Sequence, residues 1–406
     1  MPGRCPATVA GSARRTDERP APSTADTTTT RSGTDRDTGT AHGVALLACP
    51  FVAPLSERRI HRLEAAVRSG DVGGFRRELK RCLHLARRMA PDDLTASITA
   101  LVPLLDGLGG VYTRLAVFAG ACVELGGSPL PLAEVLPAQA AQALEYCAAF
   151  PDTWARAGGG RPLPDRDARP RFGEVHDVLV DGGIPDGTAL RLALSWYDLP
   201  HWLDPLVPAM AQRDFRAAMG SRDRIREAST ALADQVPRAR WVSGLSRVLD
   251  DEPLVVLDPA GGRGYRLTMS GIGDNAQLHT LLADRLIGDP GRGLIAGERP
   301  RASWVAAATD GRPRVRTIRR FRLFDGHGSY LSPQGWPDAI RPLDGVRVLV
   351  AHPPVGTAGW TGGRVFEHMR PTLSLDAVLE PAQAAPWFDR VAPARENDDL
   401  LGGSRT

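Results

Sequence analysis

Leu254-Val255-Val256-Leu257-Asp258-Pro259-Ala260-Gly261-Gly262-Arg263-Gly264-Tyr265-Arg266-Leu267-Thr268-Met269-Ser270 is where the sequence changes character. The apolar run at 254–257 reads as a buried strand. Residues 258–262 are turn chemistry: Asp bonds back to nearby amides, Pro fixes φ, and Gly adopts conformations closed to other residues. Beyond the turn, Tyr265, Leu267 and Met269 alternate with Arg266, Thr268 and Ser270, the period of a strand with one solvated face. The stretch predicts a β-hairpin.

Upstream of Asp250-Asp251-Glu252-Pro253 the period is helical. Ser56 reads as an N-cap before Ile60, Leu63 and Val67, and Gly70 ends that helix. Phe75, Leu79, Cys82, Leu83 and Ala86 share one face of a second helix. Further helices are expected after Pro91-Asp92-Asp93, over 111–125 and over 132–150. A Gly-, Pro- and Arg-rich loop follows at 157–170, and helical patterning resumes from about Thr188. Trp196, Tyr197 and Trp202 read as core or an inter-helix seam. Short helices joined by Gly/Pro turns resemble a bundle or an α-solenoid, and no fixed repeat period emerges.

Downstream, Leu278, Leu281, Leu282 and Leu286 stand at helical spacing. Strands are expected at 304–309, 315–324, 346–351 and 372–379, and a short helix at 383–391. The fold class expected is mixed α and β: an N-terminal all-α block followed by a smaller α+β domain with antiparallel hairpins. The division expected is a disordered tail at 1–42, a helical domain at 43–250, an α+β domain at 251–392 and a flexible tail at 393–406. Residues 1–42 hold almost no large apolar side chain, so burial cannot offset an ordering cost of roughly 1–2 kcal/mol per residue.

Composition sets limits. A 406-residue chain with 42% hydrophobic and 24% charged residues can bury a core without metals or disulfides. A net charge of +3 gives no strong general pull on nucleic acid or acidic membranes. Of the 50 basic residues only Lys80 is lysine, a skew expected of high-GC coding of an actinobacterial type. Cys5, Cys49, Cys82, Cys122 and Cys147 form no C-x-x-C pair, which favours free buried thiols in a cytoplasmic protein. No apolar run approaches the roughly 20 residues of a bilayer span, and the N-terminus carries no secretory h-region.

The sharpest motif is Gly271-Ile272-Gly273-Asp274-Asn275-Ala276, a G-x-G-x-x-[GA] string between an expected strand and an expected helix. In a dinucleotide fold, Gly271 and Gly273 would let amides approach a pyrophosphate, and Asp310, at the end of the next expected strand, would meet a ribose. Against this, the preceding strand alternates and pairs in a hairpin, and Asp274 would repel phosphate while serving well as an N-cap. No cofactor is expected. Asp274, Asn275 and His279 are also the candidate polar trio for positioning a water or hydroxyl, weighed against a cap plus a satisfied histidine.

The same stretch, reading G-I-G-D-N-x-Q-L-H-T-L-L-A, resembles a segment of actinobacterial proteins without an assigned activity. Trp360, Gly363-Arg364, Phe366, Met369, Pro371 and Leu373 belong to the resemblance, which spans about the last third of the chain and implies no reaction.

Two basic patches remain. Arg76, Arg77, Lys80, Arg81, Arg87 and Arg88 lie on the second helix. Arg312, Arg314, Arg316, Arg319, Arg320 and Arg322 lie on the strand expected between Arg312 and Arg322, interleaved with Val315, Ile318, Phe321 and Leu323. A basic strand bearing aromatics could bind single-stranded nucleic acid, although the near-neutral net charge disfavours that. Histidines and carboxylates show no metal-ligand spacing. The leading expectation is a non-catalytic interaction or regulatory protein with another protein as partner and no membrane contact. The alternatives are an enzyme or ligand binder using Asp274, Asn275 and His279, and nucleic-acid binding through Arg314, Arg316, Arg320 and Arg322. Substrate and oligomeric state are not legible.

Overall fold

In a computed structural model, Leu55 and residues 57–168, 171–311 and 313–395 are described. The tail expected at 1–42, the cap at Ser56, Arg312, Cys5, Cys49 and everything after 395 lie outside those residues.

The helical part runs through α1 (Glu57–Ser69), α2 (Val72–Ala86), α3 (Pro91–Leu101), α4 (Arg114–Glu124) and α5 (Val135–Ala157). It continues through α6 (Phe172–Asp181), α7 (Asp186–Met210), α8 (Arg213–Ala218), α9 (Arg222–Leu232) and α10 (Pro237–Ser246). α6 falls where no helix was expected. Its buried Val175 and Leu179 stand one turn apart, and Phe172 meets Tyr197 edge-on at 5.2 Å. α7 is the axis: it touches α4, α5, α6, α8 and α10. A solenoid repeat touches only its neighbours, so this arrangement is an irregular bundle. α4 and α7 cross so tightly that a Cβ on Gly120 would lie 2.6 Å from Pro205. Cys82, Cys122 and Cys147 are free and buried, and burial pushes their thiols up to about 11, 12 and 11.

The sheet part begins with the expected hairpin, β1 (Glu252–Asp258) and β2 (Arg263–Ser270), paired antiparallel. α11 (Asn275–Leu286) and α12 (Ala302–Thr309) follow, then β3 (Val315–Ile318), β4 (Arg322–Asp325), β5 (Pro342–Leu343) and β6 (Val346–His352). β7 (Gly359–Gly362), β8 (Thr372–Leu379) and α13 (Pro381–Phe388) complete it. The main sheet has the order β4-β6-β1-β2-β8, with β5 also on β6, while β3 and β7 form a separate two-stranded ribbon. β1 and β6 are parallel, so their carboxyl ends emerge on the same side. α11 covers one sheet face through Leu278, Leu282 and Leu286 against Leu254, Val256 and Leu267. On the other face, Trp387 and Phe388 of α13 meet Val255, Leu257, Val348 and Val350. Covering on both faces explains the unbroken apolar run of β1.

Two expectations are corrected. Residues 304–309 form α12, not a strand, because Ala306, Ala307 and Ala308 favour a helix and Trp304, Ala307 and Ala308 bury one side of it. The single strand expected over 315–324 is two strands, β3 paired with β7 and β4 paired with β6.

The described residues belong to one compact unit. The bundle core includes Phe366 and Met369 from the far end of the chain. A Cβ on Gly244 of α10 would lie 2.6 Å from Trp336 and 2.9 Å from Phe366. The buried Arg216 of α8 clamps Asp250 through Nε at 2.8 Å and Nη2 at 2.6 Å, and Arg213 pairs with Asp251. Among the described residues no helix is long and apolar enough to cross a membrane.

Candidate functional site

The mouth of α11 is fully occupied by protein. Gly271, at φ +68°, donates its amide to the Leu249 carbonyl at 2.9 Å. Gly273 donates to Gln277 Oε1 at 2.7 Å. The amides of Asn275 and Ala276 reach the carbonyls of Gly335 and Pro333 at 2.9 and 3.0 Å. Gln277 donates its amide to the Asp274 carboxylate at 2.7 Å, the expected N-cap. A Cβ on Gly273 would strike Val365 at 2.6 Å. The glycines therefore admit protein rather than a pyrophosphate, whose ligand amides are already spent. Asp310 caps the end of α12 and closes no strand. Gly271, Gly273 and Asp310, the candidate nucleotide residues, are thus engaged within the protein.

Asp274, Asn275 and His279 stand together at the start of α11, but each is committed. Asn275 Nδ2 donates to the Ser332 carbonyl at 2.9 Å, while its Oδ1 is buried without a partner. His279 is 5% exposed, and its Nε2 accepts the Phe321 amide at 3.1 Å. Its ring meets Trp360 edge-on at 4.8 Å. Burial is the main cause that lowers His279 to about 4, which leaves it neutral and a poor acid at pH 7. Burial likewise raises Asp274 to about 6, opposed by its bond to the Gln277 amide. The two strings of the resemblance meet here: Gly271 lies against Arg370, Gly273 against Val365 and Phe366, His279 against Trp360, and Arg285 Nε donates to Leu373 O. They join α11 to the segment before β8.

The basic strand comes apart. Arg314 and Arg316 are exposed beside the β3–β7 ribbon, whereas Arg322 belongs to β4 in the main sheet with its guanidinium 5.3 Å from the Phe324 ring. Arg319 donates to Val355 O and Tyr330 Oη, and Arg320 pairs with Glu298. Phe321 and Phe324 are 4% and 1% exposed, so neither ring is offered to a base. Arg314, Arg316, Arg320 and Arg322, the candidates of the alternative nucleic-acid reading, therefore do not lie on one continuous strand. Among the described residues no three His, Cys, Asp or Glu side chains gather as a metal-ligand set.

A different site sits at the carboxyl ends of the parallel pair β1 and β6. Asp258 ends β1, His352 ends β6, and between them opens a cleft of about 580 Å³. Ligands of open sheets gather at such strand ends, and this volume lies within the roughly 300–1,000 Å³ usual for small-molecule pockets. Ile287, Leu294, Ile295 and Phe321 supply an apolar lining, Pro353 and Pro354 form one edge, and Arg263, Glu298 and Arg320 bring charge.

Each polar group has a traceable state. Asp258 Oδ1 and Oδ2 accept the amides of Ala260 at 3.1 Å and Gly261 at 3.2 Å, the Asx turn of the hairpin. Tyr265 Oη donates to Gly293 O at 3.0 Å, and burial pushes its phenol up to about 12. Gly293 sits at φ +77°, a conformation that favours glycine, with Arg263 Nη1 and Val378 close by. Arg263 Nη2 meets Glu380 at 3.3 Å, and Arg320 Nη2 meets Glu298 at 3.1 Å. Arg320 also lies 5.4 Å from the Trp304 ring, and its Nε is buried without a partner. His352 has its pKa lowered by burial first and by Arg322 second, with Asp258 acting the other way.

Of these residues the sequence reading named Arg320 and Phe321 for a nucleic-acid face and Tyr265 only as part of a strand, all in different roles. Asp258 read as a turn residue, and His352 fell one residue past the strand expected at 346–351. The cleft draws on the β1–β2 turn, the loop after α11, the β3–β4 connection and the end of β6, so no local spacing encodes it. Comparison of the chain with known protein families, with curated proteins and with solved structures found no match.

Proposed function

We propose that the protein is a non-catalytic binding protein that holds a small molecule in the cleft at the carboxyl ends of β1 and β6. One observation carries this reading: apolar side chains and a few charged groups from four separate segments converge on one concavity. A binding role is favoured over a chemical one because Asp258 and Tyr265, the acid and the phenol of the cleft, are both engaged by the backbone. Asp258 holds turn amides, Tyr265 holds Gly293, and both arginines hold carboxylates. The bundle would act as scaffold. A cytoplasmic site of action fits the three free, buried thiols.

Thermal unfolding of the full chain with a panel of small carboxylates, phosphates, amines and alcohols tests the reading. Binding to the folded state raises the unfolding free energy by about 2.7 kcal/mol at a hundredfold excess over Kd. At least one compound is expected to raise Tm in the wild type and to lose that effect in Leu294→Trp, which fills the cleft. Shifts that survive Leu294→Trp, or no shift at all, overturn it.

A second reading, a protein partner on the bundle, has its own observation. Trp241 is 42% exposed and Leu163 46% exposed on one groove of about 640 Å³, with Pro164, Pro200 and Pro237 in its lining. Exposed aromatics are common at interface centres. A partner copurifying with the wild type and lost from Trp241→Glu is the expected result. An unchanged set of copurifying proteins removes this reading.

A further inference from the structure

The two arginines of the cleft are paired in an unequal way. The Arg320 side chain is 16% exposed, but its partner Glu298 is 73% exposed; for Arg263 and Glu380 the figures are 32% and 60%. The cations are therefore fixed and partly desolvated, while their counter-anions lie in solvent. An exposed ion pair contributes little, about 0–1 kcal/mol, so such a carboxylate is cheap to displace. Arg320 also has unmet demand, because its buried Nε has no partner and a cation drawn out of water gains from each further anion that reaches it. Behind these heads the lining is apolar, with Ile287, Leu294, Ile295 and Phe321.

We propose that the ligand of this cleft is a small monocarboxylate with an apolar body, its head taking the place of Glu298 on Arg320 in the cleft that Arg263 also lines. The inference rests on the reading that the cleft binds a small molecule and adds the chemistry of that molecule. A carboxylate suits the site because both guanidiniums already hold one, and the planar fork of Arg matches that group. A dianionic phosphate fits less well, since the Asp258 carboxylate lines the same cleft. Its two turn amides spread that charge without removing it. The apolar body would displace water from the aliphatic lining, a gain of about 0.8 kcal/mol per buried methylene.

Calorimetric titration of the full-length protein with octanoate, octan-1-ol and octyl phosphate tests this. Octanoate is expected to bind, octan-1-ol to bind about tenfold or more weakly, and Arg320→Gln to remove most of that difference. Glu298→Gln, on an exposed side chain, is expected to tighten octanoate several-fold by removing the competing carboxylate. Arg263→Gln gives an independent second arm. Equal affinity for octanoate and octan-1-ol, with both lost in Leu294→Trp, overturns the anion assignment and leaves the cleft reading standing. Octyl phosphate binding tighter than octanoate overturns the choice of carboxylate. Affinity unchanged by Arg320→Gln, Arg263→Gln and Glu298→Gln overturns the proposed placement of the head. Absence of binding by all three probes, or binding indifferent to Leu294→Trp, overturns the inference and the cleft reading together.

Discussion

Asp198 in the bundle and His279 in the sheet part are both buried ionisable side chains, and burial acts on them in opposite senses. In the bundle, Asp198 of α7 is 3% exposed and accepts the Gly110 amide at 2.6 Å. Burial raises it to about 7, with the Gly110 bond opposing. In the sheet part, His279 of α11 is 5% exposed and is lowered to about 4. In both places the low-dielectric interior rejects charge; for an acid that raises the pKa and for a base it lowers it. Asp198 therefore favours the fold at low pH and His279 favours it at high pH, within one compact unit. The two concavities add a second contrast, since the sheet-side cleft is lined by Arg263 and Arg320 over aliphatic side chains while the bundle groove sets exposed Leu163 and Trp241 among Asp165, Arg166, Asp167 and Arg238.

The largest expected effect comes from uncoupling the two parts. Arg216 is 3% exposed, bonds both oxygens of Asp250 and also donates to Met210 O at 2.7 Å. Arg216→Ala strands Asp250 and a buried carbonyl, and a loss of about 3–5 kcal/mol is expected in chemical denaturation. Two separate transitions in place of one would show that this clamp holds the parts together.

Next comes the pH dependence. Asp198 has a folded pKa above its unfolded value near 3.8, so its protonated state favours the fold at low pH. That contribution is lost as pH rises from about 4 through about 7, and its ceiling is on the order of 4 kcal/mol. Asp198→Asn is expected to flatten this limb. His201 stands 3.7 Å from Asp198 and is held low by its own burial first and by Arg114 second, so it offers little compensating charge. His279 gives the opposite limb. Its folded pKa lies below 6.5, so the unfolded chain takes up the proton first, and stability is lost as pH falls from about 6.5 toward 4, with a ceiling of about 3 kcal/mol. Hydrogen exchange resolved by peptide at pH 5 and pH 8 checks both. With intrinsic exchange rates divided out, lower protection is expected in α11 at pH 5 and in α7 at pH 8, and a uniform response would erase the contrast.

A smaller effect is expected at the seam. Gly244→Ala presses a methyl into Trp336 and Phe366, costing about 1–3 kcal/mol by overpacking. The Trp336 fluorescence environment should change with it.

What was legible in the sequence was local. The β1–β2 hairpin, the Asp274 cap with α11, and β8 at Thr372–Leu379 follow from turn chemistry and period. α12 was hidden because Trp304, Val305 and Thr309 carry strand preference while its alanines and tertiary contacts decide the outcome. The strand between Arg312 and Arg322 failed because its halves pair with different strands, and pairing partners leave no trace in a single strand's period. The polar trio lies at one end of α11, and its commitments to Ser332 and Phe321 come from 57 and 42 residues away. The cleft is more distant still from local pattern, because it depends on β6 running parallel to β1.

Hydrogen exchange of the full-length protein with and without octanoate tests the central claim most directly. Protection confined to residues 258–265, 290–298, 320–321 and 351–354 is the expected result. Protection centred instead on Leu163 and Trp241 in the bundle, or spread evenly over both parts, would contradict it.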